Sequence, residues 1–171
     1  MQRTLTVVQS ALFAALLAVC AWIAVPTAVP FTLQTFGVYL TLLLLGGRQG
    51  SLVVAVYLLL GAVGLPVFAG GRGGLAVLCG VTGGYLCGLL LIALLYWVTK
   101  AHTASRYMRV VVLAVGQLLC YLGGTVWFSV LSGDRLGVAF VTCVLPFLLP
   151  DAVKLGVAFW LAPRLAKVGK I

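Results

Sequence analysis

Apolar runs such as Leu5–Val25 recur along the whole chain with hardly an ionisable side chain inside them, and this limits the possible folds. With 64% hydrophobic and only 8% charged residues, against about 25% charged in a soluble domain, the chain cannot cover itself with polar side chains. A helix needs about 20 mostly apolar residues to cross a hydrocarbon core about 30 Å thick. The 171 residues therefore accommodate about six crossings with short connections. The reading is an all-α integral membrane protein in a lipid bilayer, one transmembrane domain over residues 1–171.

Hydropathy places the spans at Leu5–Val25, Thr35–Leu45, Ser51–Leu65, Val81–Thr99, Arg109–Leu131 and Pro150–Lys167. The second and third are short, and segments of that length are stable in a membrane only when enclosed by neighbouring protein. Gly137–Leu149 is apolar but interrupted by Pro146, which fits a helix lying in the outer interface and leading into the last span. The first span follows Arg3 as a signal peptide would, but it is too long for one and lacks a small-residue cleavage site, so it is read as retained.

The formal net charge is +9, from 11 Lys and Arg against two acids. The basic residues are scattered between spans and form no stripe interleaved with aromatics, which argues against a nucleic-acid partner. They read as topology signals. With the N-terminus inside, Arg3, Arg48, Lys100, Arg106, Arg109, Arg164, Lys167 and Lys170 fall on the cytoplasmic side, and only Arg72 and Arg135 outside. Both termini are then cytoplasmic in a multi-pass protein of the cell membrane. The five cysteines show no CxxC spacing and read as packing residues. The single histidine, His102, sits in a cytoplasmic loop, so no acid–base constellation faces outward and an enzyme is disfavoured. No repeated selectivity-loop pattern points to a channel.

Of the two acids, Asp134 lies in the turn-like sequence SGDR and reads as a solvated loop residue. Asp151 follows Pro150 at the start of an apolar helix, with Lys154 one turn later on the same face. Ionisable groups at membrane depth face a cavity or a partner. Two readings remain open: a helix cap with its salt-bridge partner, or part of a polar pocket entered from outside, where a carboxylate accepts from N–H groups and an ammonium donates to an oxygen.

Three further segments carry information. The run Gly64-Leu65-Pro66-Val67-Phe68-Ala69-Gly70-Gly71-Arg72-Gly73-Gly74 cannot be a regular helix. It is either a flexible outer loop or one whose backbone approaches a ligand, with Arg72 available for an anion; it lacks the lysine and hydroxyl pattern of a nucleotide-binding loop. Phe31-Thr32-Leu33-Gln34 places a side-chain amide between aromatics where a short span begins, and serves equally as a ligand contact or a helix-start turn. On the first span, Ala11/Ala15 and Ala14/Ala18 form two overlapping small-residue pairs, suited to packing within the bundle or to docking a partner helix.

Taken together, Phe31-Thr32-Leu33-Gln34, the run GLPVFAGGRGG, Gly80-Val81-Thr82-Gly83-Gly84-Tyr85 and Pro150-Asp151-Ala152-Val153-Lys154 resemble the BioY family, the biotin-specific substrate-binding (S) subunits of energy-coupling factor (ECF) transporters. The resemblance covers Ala11 to about Lys154. It implies a six-transmembrane-helix S-component bundle that binds biotin from outside and releases it inward. Its partners would be a transmembrane coupling subunit, docked on Ala11 and Ala15, and two cytoplasmic ATPase subunits. The substrate-binding residues it implies are Gln34, Phe68, Arg72, Tyr85, Asp151 and Lys154, with Phe31 as a further apolar wall. An S component for another small vitamin is the alternative, because a shared fold leaves the substrate to pocket chemistry. The chain departs from the family pattern in lacking a glycine before Asp151, in Val81 where proline is usual, and in Leu86 where some relatives carry arginine. Arg72 is the candidate to supply that missing positive charge.

Overall fold

The computed structural model describes residues 2–26, 29–100 and 105–169. His102 and Lys170 lie outside them, as do the side chains of Lys100 and Arg106. The chain runs α1 (Gln2–Trp22), β1 (Ala24–Val25), β2 (Phe31–Thr32), α2 (Gln34–Ala62), a 3-10 turn (Ala69–Gly71), α3 (Leu75–Leu78), α4 (Gly83–Lys100), α5 (Arg106–Ser132), α6 (Leu136–Cys143) and α7 (Leu145–Gly169).

α2 is not one rod. At Gly46 the backbone adopts φ 81° and ψ 176°, a region essentially closed to residues with a Cβ, and the chain turns back on itself. A Cβ on Gly50 would lie 3.3 Å from the Cα of Leu42, whereas residues eight apart on a straight helix are about 12 Å apart. Gln34 near one end likewise reaches Tyr57 near the other, its Nε2 donating to the hydroxyl at 2.6 Å. The arms, residues 34–45 and 47–62, are the expected second and third spans. The twelve residues of the first arm rise only about 18 Å and the sixteen of the second about 24 Å, so neither spans a hydrocarbon core of about 30 Å by itself. The inner faces of the hairpin are buried, with Val38, Tyr39, Leu42, Val53, Val54 and Tyr57 all fully so, while Leu52 and Leu59 on the second arm are exposed.

α1, the two arms of α2, α4, α5 and α7 therefore make six rods. The tip of the α2 hairpin lies at the same end as the start of α1, where Gln49 Nε2 donates to the Thr6 carbonyl at 3.3 Å. It also meets the end of α4, where a Cβ on Gly47 would sit 2.4 Å from the Cα of Trp97. Arg3 and Arg48 are both at this end and exposed. Glycines also close the α4/α5 seam: a Cβ on Gly88 would meet Cys120 Sγ at 2.3 Å and one on Gly116 the Cα of Ile92 at 3.2 Å. Exposed apolar side chains on the outer faces, among them Leu12, Val19, Leu118, Leu122, Val153 and Trp160, form the surface a bilayer would cover.

The opposite end carries the loops. A two-residue antiparallel ladder, Ala24 with Thr32 and Val25 with Phe31, folds the first loop back over the bundle; nothing in hydropathy had marked it. The glycine-rich segment is irregular as expected, with positive φ at Gly64, Gly70, Gly71 and Gly74. Gly137–Leu149 divides between α6 and α7, which begins at Leu145 and continues through Pro150. Asp151 is therefore inside a helix and does not open one, which overturns its reading as a cap. Pro146 fits because the first turn has no intrahelical use for its absent N–H, whereas Pro150 lies inside the helix and leaves one i→i−4 bond unmade.

Candidate functional site

A cavity of about 410 Å³ opens at the loop end of the bundle, within the range of small-molecule sites. Gln34, Phe68, Arg72, Tyr85, Asp151 and Lys154 all line it, so the structure brings together every residue singled out from the sequence as substrate-binding. Phe31 lies instead on a neighbouring cleft with Val25, Thr142, Pro146, Phe147 and Pro150.

The floor is organised around Asp151, which is 5% exposed. Its Oδ1 accepts from Lys154 Nζ at 2.7 Å and Thr35 Oγ1 at 2.9 Å. Its Oδ2 accepts from Tyr121 Oη at 2.5 Å and Gln117 Nε2 at 3.1 Å. Four donors match the four acceptor sites of an ionised carboxylate. The Lys154 ammonium is equally occupied: besides Asp151 it donates to the Thr32 carbonyl at 2.6 Å and to Thr35 Oγ1 at 3.3 Å, and lies 4.0 Å from the centre of the Phe31 ring. A lone charge buried this deeply would be strongly unfavourable; the pair is sustained by these hydrogen bonds. Through Thr32 and Phe31 the ammonium also fixes the first loop to α7.

Gln34 belongs to a second network. Its Oε1 accepts from Thr32 Oγ1 at 3.2 Å, its Nε2 donates to Tyr57, and the Tyr57 hydroxyl donates to the Val67 carbonyl at 2.9 Å. These bonds join the first loop, both arms of α2 and the glycine-rich loop. Phe68 anchors that loop: it is 1% exposed and occupies a notch at Gly61, where a Cβ would come within 2.0 Å of the ring. Trp22 Nε1 holds the loop from outside, donating to the Pro66 carbonyl at 2.8 Å. Arg72 is thereby set at the cavity rim, exposed, with no ion pair among the described residues.

The Gly83-Gly84-Tyr85 sequence has a packing explanation. A Cβ on Gly83 would lie 1.7 Å from the Leu78 carbonyl oxygen, and one on Gly84 would be 2.4 Å from Trp127 Cβ. The Tyr85 ring in turn fills the space left by Gly124, and its hydroxyl shares a 3.0 Å hydrogen bond with Thr125. Asp134 is exposed in its turn, as expected. On α1, Ala14 is buried while Ala11 and Ala15 are exposed, so the two overlapping alanine pairs face different ways. Sequence reasoning missed Thr35, Tyr39, Gln117 and Tyr121. An available signal was Gln117, a lone amide in an apolar span, four residues before Tyr121 and so on the same helix face.

These features define an α-helical multi-pass membrane protein with a partly polar, small-molecule-sized cavity at one end. The sequence profile of the BioY family matches residues 1–170, and the chain belongs to that family. It is 41% identical over 167 residues to the biotin transporter BioY of Thermotoga maritima, covering 94% of this chain and 95% of the relative. It is 40% identical over 156 residues to the probable biotin transporter BioY of Pyrococcus horikoshii, covering 91% and 92%. The crystal structure of an S-component for biotin from an ECF-type ABC transporter superposes with a TM-score of 0.87 at 27% identity, covering 97% of this chain and 93% of that one. The expected bundle and family are thus borne out. The relatives' names are those of transporters, in keeping with a chain that is not an enzyme.

Proposed function

We propose that this chain is the high-affinity biotin-binding S component of an ECF-type transporter, taking up biotin from outside and releasing it inward. The observation that carries this reading is the cavity itself, which combines a buried Asp151–Lys154 pair, apolar walls and an exposed guanidinium at the rim. Biotin has a ureido ring, an apolar thioether ring and chain, and a carboxylate, and the cavity offers a partner to each. The ureido N–H groups dock on Asp151, exchanging with one of its intramolecular donors, while Lys154 holds that carboxylate in place. Phe68 and Tyr85 flank the apolar body, Gln34 braces the floor, and Arg72 meets the carboxylate. The whole chain acts as one domain, with the basic end and both termini cytoplasmic and the cavity outside.

Its partners on this reading are a transmembrane coupling subunit and two ATPase subunits. Exposed Ala11 and Ala15 on α1 supply the close-approach face for the coupling subunit. Ala15→Leu should leave biotin binding intact and abolish co-purification with that subunit; loss of both, or of neither, would reject this face. The function is tested by uptake of labelled biotin into cells lacking their own importer, with the chain expressed alone and with the three partners. Uptake competed by unlabelled biotin but not by thiamin or riboflavin is expected, and equal competition by another vitamin would favour the alternative substrate.

A further inference from the structure

Gln117 has no part in the reading above, yet it is 6% exposed, lines the cavity and touches the carboxylate at its floor. Its orientation follows from its neighbours. A carboxylate oxygen only accepts, so the amide nitrogen faces Asp151 Oδ2, and Oε1 is left to accept from the fully buried Tyr39 hydroxyl at 2.8 Å. The bond to Asp151, at 3.1 Å, is the longest of the four that the carboxylate accepts.

A ligand N–H reaching Asp151 must replace one of these four donors, because no acceptor site is open. Lys154 and Tyr121 hold at 2.7 and 2.5 Å, and Thr35 at 2.9 Å is bound to Lys154 as well. Gln117 is the partner most readily exchanged. A ureido N–H is also adjacent to a ureido carbonyl, which needs a donor of its own, and the three Lys154 protons are already engaged. Resting on the biotin assignment, we infer that Gln117 is a specificity-determining residue of this cavity. In the free protein its amide N–H occupies the ligand's place on Asp151. When the ligand binds, the amide, still held at Oε1 by Tyr39, turns its N–H to the ureido oxygen. The site thereby reads a carbonyl flanked by N–H groups and rejects a ring that presents donors only.

The test compares biotin with 2-iminobiotin, whose ring at neutral pH is a guanidinium with no acceptor. Wild-type protein is titrated with both first. Absence of biotin binding there would remove the substrate assignment itself, separately from the role of Gln117. Gln117→Glu should lower the ratio of biotin to 2-iminobiotin affinity on the order of 10- to 100-fold, as an acceptor replaces a donor. Gln117→Met should weaken biotin on a similar scale. Equal loss of both ligands in Gln117→Glu, or full biotin affinity in Gln117→Met, would overturn the inference. Should a variant not purify as a monodisperse sample, a structure of the wild-type biotin complex decides: Gln117 Nε2 within about 3.5 Å of the ureido oxygen supports the role, and an amide still on Asp151 Oδ2 refutes it.

Discussion

The two ends of the bundle solve the packing problem in opposite ways. At the closed end glycines bring backbones together, with Gly47 against Trp97 and Gly116 against Ile92, and the space between is filled by Ile92, Ala93 and Leu113, all fully buried. At the loop end the rods part around a cavity, and side-chain hydrogen bonds hold what packing does not: Lys154 to the first loop, Tyr57 and Trp22 to the glycine-rich loop. The glycines there serve loop geometry at Gly70 and Gly71 and admit an aromatic ring at Gly61 and Gly124. The cavity's shape thus depends on a few polar bonds, and the closed end depends on contact area.

Breaking the polar end should have the largest effect. Asp151→Asn removes the negative charge beside Lys154, and truncating one partner of a buried charge pair costs about 2–5 kcal/mol, roughly 30-fold or more in Kd. Biotin titration of the purified variant measures this. Unchanged affinity would mean that the pair serves folding alone. Breaking the closed end should act on stability first. Gly46→Ala forces a Cβ into the φ 81° turn of the hairpin, at a cost of about 1–3 kcal/mol. A lower Tm in detergent with little change in biotin affinity of the folded protein is expected, and the reverse pattern would erase the distinction between the two ends. The smallest effect belongs to the exposed rim. Arg72→Ala should weaken biotin by no more than about 5-fold and leave the binding of biotinamide, which has no carboxylate, unchanged. Equal loss for both ligands would remove the proposed carboxylate contact.

Hydropathy made the six rods legible because each apolar run is a statement about solvent, independent of what the rod packs against. The reversal at Gly46 is absent from that signal, since glycine is common in membrane helices and only φ reveals its use. The start of α7 was displaced because Pro150 reads as a breaker, although here it lies inside the helix, which begins five residues earlier at Leu145. The cavity residues divide in the same way. Asp151, Lys154 and Arg72 stood out as rare charges in an apolar chain. Gln117, Tyr121 and Thr35 are neutral residues, made important only by the three-dimensional meeting of α2, α5 and α7 at one carboxylate. Gln34 was found, but its present bonds are to Thr32 and Tyr57, which its position beside a helix start could not disclose.

The most direct test of the account is equilibrium titration of the detergent-purified, monodisperse chain with biotin, using thiamin and riboflavin as controls. The account predicts saturable one-to-one binding of biotin alone, lost or strongly weakened in Asp151→Asn. A monodisperse wild-type sample that binds no biotin, or binds another vitamin equally well, would contradict it.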